Sequence, residues 1–109
     1  MMLITAIVAP SRVDPIRTTL ALFGVRGLTR SPTFTENRPG TPPEVYRASH
    51  WYRPGIPRVR LEVLSPNDDT RDVVRVIRRL TTGSDLDLWV VRVDHLVRIR
   101  TGEVGLDAV

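Results

Sequence analysis

A chain of 109 residues with 41% hydrophobic content is long enough for one two-layer core and too apolar to remain disordered. Its formal charge of +4 is carried entirely on arginine, with no lysine, and the lack of cysteine excludes disulfides and thiolate metal sites. The arginines are scattered rather than massed, which argues against a general grip on nucleic acid, and no apolar run reaches membrane-spanning length.

The opening "MMLITAIVAP" is apolar but short and lacks a basic leader, so it reads as a buried central strand over Met2 to Val8 rather than a signal peptide. A cytoplasmic chain is the default expectation. "DPIRTTLALFG" reads as a helix, with Asp14 as its cap, Pro15 as its first residue and Gly24 at its far end. Val13, Ile16, Leu20 and Phe23 share one face of it. "GLTRSPTFTE" alternates loosely and predicts a second strand.

From Asn37 to Pro57 the chain holds five of its nine prolines and shows no periodicity. Loops of this length in compact domains are functional or disordered. Inside it lies "EVYRASHWY", Glu44 to Tyr52, dense in adhesive aromatic side chains. "RVRLEVL" then alternates cleanly, with Val59, Leu61 and Val63 on one side and Arg58, Arg60, Glu62 and Leu64 on the other. "SPNDDTRDVVRVIRRLTTG" predicts a second helix capped by Asn67 and ended by Gly83. Asp68 and Asp69 suit its positive end, and Arg78 and Arg79 its negative end. Val73, Val76, Ile77 and Leu80 form its apolar face. "LDLWVVRV" predicts a fourth strand, and "HLVRIRTG" is compatible with a short fifth.

This order defines an α+β, ferredoxin-like βαββαβ fold with an antiparallel sheet and both helices on one face. The other sheet face must be polar or buried against something, so self-association is expected. Arg98 and Arg100, two apart on a strand, would point the same way and could clamp one anion. A solvated strand face explains the same spacing, and spacing alone does not choose. His95 beside Asp94 reads as structural, and no nucleophile–base arrangement is evident, so no catalytic residue is assigned and the chain is read as a non-enzyme. Two separated histidines without cysteine give no metal site. The sheet lacks the exposed aromatic pair with which such folds bind RNA.

Taken together, "LITAIVAP", "FGVRGLTRS", "EVYRASHWY", "PRVRLEVLSPNDD" and "VRIRTGEVGLDAV" resemble the PII signal-transduction family along the whole chain. The resemblance implies a single domain over 1–109, a homotrimer, adenine nucleotides held in clefts between subunits, and a target protein gripped by a long T-loop between strands 2 and 3. That flexible effector loop would span about 37–57, and the C-terminal segment about 96–109. It implies that Thr29, Glu62 and the backbone near Leu64 hold adenine. Arg98 and Arg100, reaching over from a neighbour, would hold the phosphates, joined by Arg38 and by Gly83 in the loop after the second helix.

The departures from the family pattern carry their own expectations. "TTGSDLDLW" stands where the family has a longer glycine-rich loop ending in a basic residue, and Asp87 takes the basic position. Fewer glycine amides and added negative charge weaken the hold on distal phosphates, which favours AMP or ADP over ATP. Pro39 replaces a glutamine and Arg58 a lysine that serve 2-oxoglutarate binding, leaving Arg58 and Gly40 for a smaller anion such as bicarbonate. Trp51 replaces a tyrosine modified in some members, so the loop is expected to present Tyr46, Arg47 and Trp51 as anchors for a partner. These features resemble PII-like offshoots tied to inorganic carbon, one of them linked to carboxysome gene clusters. The expected regulator has no covalent cofactor, and its target is a transporter, an enzyme or a carboxysome component. The alternatives are a nitrogen-type regulator responding to ATP, ADP and 2-oxoglutarate, and a trimeric adaptor that has lost its ligand.

Overall fold

The computed structural model describes residues 1–36, 55–81 and 87–109. Strand β1 (Met2–Val8) leads through a 3-10 turn (Pro10–Arg12) into helix α1 (Val13–Leu22). Strands β2 (Thr29–Thr35) and β3 (Ile56–Ser65) follow, then helix α2 (Asn67–Leu80), strand β4 (Leu88–Arg92) and a final 3-10 turn (Gly105–Ala108). The four strands form one sheet in the order β2-β3-β1-β4, and every pair is antiparallel. This is the ferredoxin-like α+β arrangement expected from the sequence.

The core lies between the sheet and the two helices. The register places Ile4 opposite Val63, Ala6 opposite Leu61 and Val8 opposite Val59, so one face of β1 and β3 is continuously apolar. Val13, Ile16 and Leu20 of α1 and Val73 and Ile77 of α2 close onto that face. Val76 and Leu80 pack at its margin, as their helical spacing predicts. Gly24 follows α1 with φ 85°, a left-handed conformation that glycine adopts freely.

Five details differ from expectation. Asp14 is not the cap of α1: Arg12 takes that position and the helix begins at Val13, two residues earlier than expected, while Asp14 pairs with Arg17 at 3.2 Å within the exposed first turn. Phe23 lies just past the helix and is 58% exposed, because the 3.6-residue period that buries Val13, Ile16 and Leu20 has already ended. Pro66, rather than Asn67, occupies the cap of α2, and its carbonyl accepts from the Asp69 amide at 3.1 Å and the Thr70 hydroxyl at 3.0 Å. The expected fifth strand is a tight turn: the Arg98 amide bonds the Glu103 carbonyl at 2.8 Å, the Gly102 amide bonds Arg98 at 2.7 Å, and Val97 and Val104 form a single bridge. Ile56 and Pro57, assigned to the loop by composition, belong to β3 and pair with Thr35 and Phe34. Gly83 and the interior of the loop lie outside the described residues.

The sheet face away from the helices carries Leu3, Thr5, Arg60, Glu62, Leu64, Trp89 and Val91 by alternation from the core positions. Trp89 is 39% and Val91 50% exposed on it. Thr5, between Glu62 and Trp89, is buried, and its hydroxyl has no hydrogen-bond partner among the described residues. Ile16 is fully enclosed. Ile16→Ala is therefore expected to cost about 2–5 kcal/mol, read as a lowered midpoint in urea unfolding with the slope unchanged.

Candidate ligand cavity

The pairing of β2 with β3 sets Thr29 directly opposite Glu62. Leu64 lies two residues beyond Glu62 and therefore on the same face, with Leu3 of β1 opposite it. At this end of the sheet opens a cavity of about 810 Å³, into which Thr29, Glu62, Leu64 and Arg98 all face. The link between α1 and β2 adds Arg26 and Gly27 to its wall, and the start of α2 adds Asp69 and Asp72. The cavity therefore joins a mixed apolar and hydrogen-bonding floor to two guanidinium groups.

Glu62, Arg98 and Arg26 are each already engaged. Glu62 lies 3.6 Å from Arg60, whose guanidinium stands 5.7 Å above the centre of the Trp89 ring. Both side chains of that pair are partly solvated, so it orients Glu62 more than it stabilises the fold. Arg98 donates to the main-chain oxygen of Ala108 at 2.6 Å and lies 3.9 Å from the Glu103 carboxylate. Arg26 donates to the main-chain oxygens of Asp107, at 3.4 Å, and of Val109.

The structure thus gathers Thr29, Glu62, Leu64 and Arg98 and leaves other candidates apart. Arg98 lines the cavity of its own chain, where the resemblance implied a reach to the neighbouring subunit. Arg100 sits in the exposed turn and does not line the cavity, so the two arginines do not project together from a strand. The turn forms because Gly102 takes φ 75°, which reverses the chain before a strand can extend. Arg58, opposite Thr33, is four residues before Glu62 on β3, about 13 Å along the strand. Arg38, Gly40, Tyr46, Arg47, Trp51 and Gly83 lie outside the described residues. Sequence reasoning missed Arg26 and the segment 104–109 as parts of the wall. Their contacts join positions 81 to 83 residues apart and leave no local pattern. Among the described residues no helix is long and apolar enough to cross a membrane, and no group of three acidic or histidine side chains is placed to hold a metal ion.

The four-stranded sheet thus carries its cavity at one end of the β2–β3 pair, and a long segment joins those two strands. Residues 1–103 match the family model described as Nitrogen regulatory protein P-II. The chain is 32% identical over 109 residues to the nitrogen regulatory protein P-II of Rhizobium meliloti strain 1021, covering 97% of each chain. It is 32% identical, over the same length and coverage, to the protein of that name from Mesorhizobium japonicum. It is 33% identical over 103 residues to nitrogen regulatory protein P-II 1 of Escherichia coli K12, covering 92% of each. The chain belongs to the PII family of signal-transduction regulators.

Arg98 ties the turn at 98–102 to the segment beyond it. Arg98→Ala is expected to speed exchange of the Gly105 amide, which bonds the Leu96 carbonyl at 2.9 Å, with the core amides of β1 unchanged. A charge-assisted hydrogen bond of ordinary strength corresponds to a change of about tenfold or more, measurable by hydrogen–deuterium exchange.

Proposed function

We propose that this PII-family member senses an adenine nucleotide, AMP or ADP in preference to ATP, and signals to a target protein through the segment between β2 and β3. The observation that carries this reading is the convergence of Thr29, Glu62, Leu64 and Arg98 on one cavity of about 810 Å³. That volume suits a nucleotide, since small-molecule sites span about 300–1,000 Å³. The Glu62 carboxylate would accept from the exocyclic amine of adenine, and the Thr29 hydroxyl would bond a ring nitrogen. Leu64 and Leu28 supply the apolar flank for the base. Arg98 is the cation within reach of the phosphates, with Arg100, Arg38 and the loop glycine Gly83 as further contributors in an assembled trimer.

Preference for fewer phosphates follows from charge. Asp87 stands at the entry to β4, its carbonyl held by the Ile7 amide at 2.9 Å, and its carboxylate repels rather than clamps a distal phosphate. Arg58 with Gly40 would take a small planar anion, bicarbonate, whose shape matches a guanidinium fork. Bound ligands would order the base of the loop and change how Tyr46, Arg47 and Trp51 meet the partner. The exposed Trp89 and Val91 on the open sheet face, with the orphan hydroxyl of Thr5, favour burial of that face in a homotrimer. This regulator would act in the cytoplasm without catalysis, in inorganic-carbon metabolism, on a transporter, an enzyme or a carboxysome component.

Calorimetric titration with AMP, ADP and ATP, each with and without bicarbonate or 2-oxoglutarate, tests the reading. Tighter binding of AMP or ADP, strengthened by bicarbonate, is the expected result. Glu62→Gln should weaken ADP by about tenfold while leaving the unfolding midpoint unchanged, because a neutral amide oxygen accepts from the amine more weakly than a carboxylate does. A second reading, a nitrogen-type regulator, draws on the name shared by the relatives. It requires ATP binding that magnesium and 2-oxoglutarate enhance. Light scattering should give three times the 12.3 kDa chain mass.

A further inference from the structure

We propose that segment 104–109 is a built-in competitor for the ligand cavity, seated on the guanidinium groups that a nucleotide's phosphates would need. The inference rests on the nucleotide reading above and concerns how that site is regulated.

The segment is held by the fold rather than trailing from it. The Val97–Val104 bridge and the Gly105 amide bond to Leu96 pin its start. Gly105, at φ 63°, then turns it inward, and the 3-10 turn Gly105–Ala108 carries Ala108 to 3% exposure. Ala108 is not a member of the hydrophobic cluster between sheet and helices. It is buried in the wall of the cavity, which Leu106 and Val109 also line.

Two arginines from distant parts of the chain converge on this one segment. Arg98 donates to Ala108, and Arg26 to Asp107 and Val109, in each case to a main-chain oxygen. At Ala108 and Asp107 the acceptor is a neutral peptide carbonyl, whereas a phosphate offers several anionic oxygens and a bidentate fit, so Arg98 and Arg26 each gain by exchanging that carbonyl for it. Nothing else in the segment compensates strongly: Leu106 is 60% exposed, and the aliphatic surface released with Ala108 is small. The tail is therefore displaced by an anion that reaches Arg98 and Arg26 together, and a seated tail lowers the apparent affinity by the fraction of chains in which the cavity is closed. Displacement also turns a binding event at the cavity into a freed segment at the surface.

Two measurements on the full-length chain test this. In Ala108→Gln the longer neutral side chain cannot enter the space Ala108 fills, so the tail is excluded without a change of charge. If the tail is seated about nine-tenths of the time, ADP should bind about tenfold more tightly to this variant. Hydrogen–deuterium exchange on the unaltered chain gives the second readout and needs no variant to fold: saturating ADP should speed exchange at residues 105–109. Equal ADP affinity in the two chains overturns the competitor while leaving the nucleotide reading intact. Slowed exchange on ADP binding also overturns it, because the segment would then be a lid that closes over the ligand. Failure of both chains to bind ADP sinks the nucleotide reading, and this inference with it.

Discussion

The antiparallel ladder between β2 and β3 is the constraint on which the rest of this molecule depends. One end of it sets Thr29 opposite Glu62 and so builds the floor of the cavity. The other end sets Thr35 opposite Ile56, where the chain leaves for and returns from the segment between the strands. The two ends are separated by six residue steps, about 20 Å of hydrogen-bonded strand. Register is unusually stiff information: a slip of one residue would send Glu62 to the helix side and Leu61 to the open face. The ladder therefore holds the cavity and the two ends of the segment between β2 and β3 at a fixed separation, on one rigid element. Gly55 completes the return. At φ 91°, a β-carbon there would stand 2.5 Å from the Thr35 carbonyl oxygen, so only glycine lets β3 start beside the end of β2.

Much of this was legible in the sequence, for reasons that can be stated residue by residue. The alternation of Val59, Leu61 and Val63 reads directly as a half-buried strand, and the helical spacing of Val73, Val76, Ile77 and Leu80 reads as a helix laid on it. Both patterns are local and repeat several times, so chance agreement is small. The element order then selects the fold. Thr29, Glu62 and Leu64 were nameable only because family resemblance attached them to one site. No property of a lone threonine or glutamate would have done so, yet the cross-strand pairing brings them together as that resemblance implied.

What escaped the sequence has a common physical cause. Helix starts depend on which residue leaves the helical conformation first, and Pro10 and Pro66 decide that by fixing their own backbone rather than by side-chain capping. Arg98 and Arg100 looked like a strand pair because alternation cannot see the chain reversal that Gly102 permits. The Arg26 contacts with Asp107 and Val109 join opposite ends of the chain, and long-range contacts of this kind appear only once the sheet has been assembled.

An all-arginine complement gives these positions a shared chemistry. A lysine at Arg60 could not lie as a flat cation over Trp89 while also facing Glu62. A guanidinium can exchange one acceptor for another without moving its own atoms far, because its donors form a planar fork. Where an arginine is held by a carbonyl or an exposed carboxylate, as Arg98 and Arg26 are, its present partner is weak enough to be replaced by a multiply charged anion. Where it is stacked on an aromatic ring, as Arg60 is, exchange would also forfeit the ring contact. The same residue type thus serves as a fixed strut on the open sheet face and as an exchangeable clamp at the cavity mouth, and what it touches decides which.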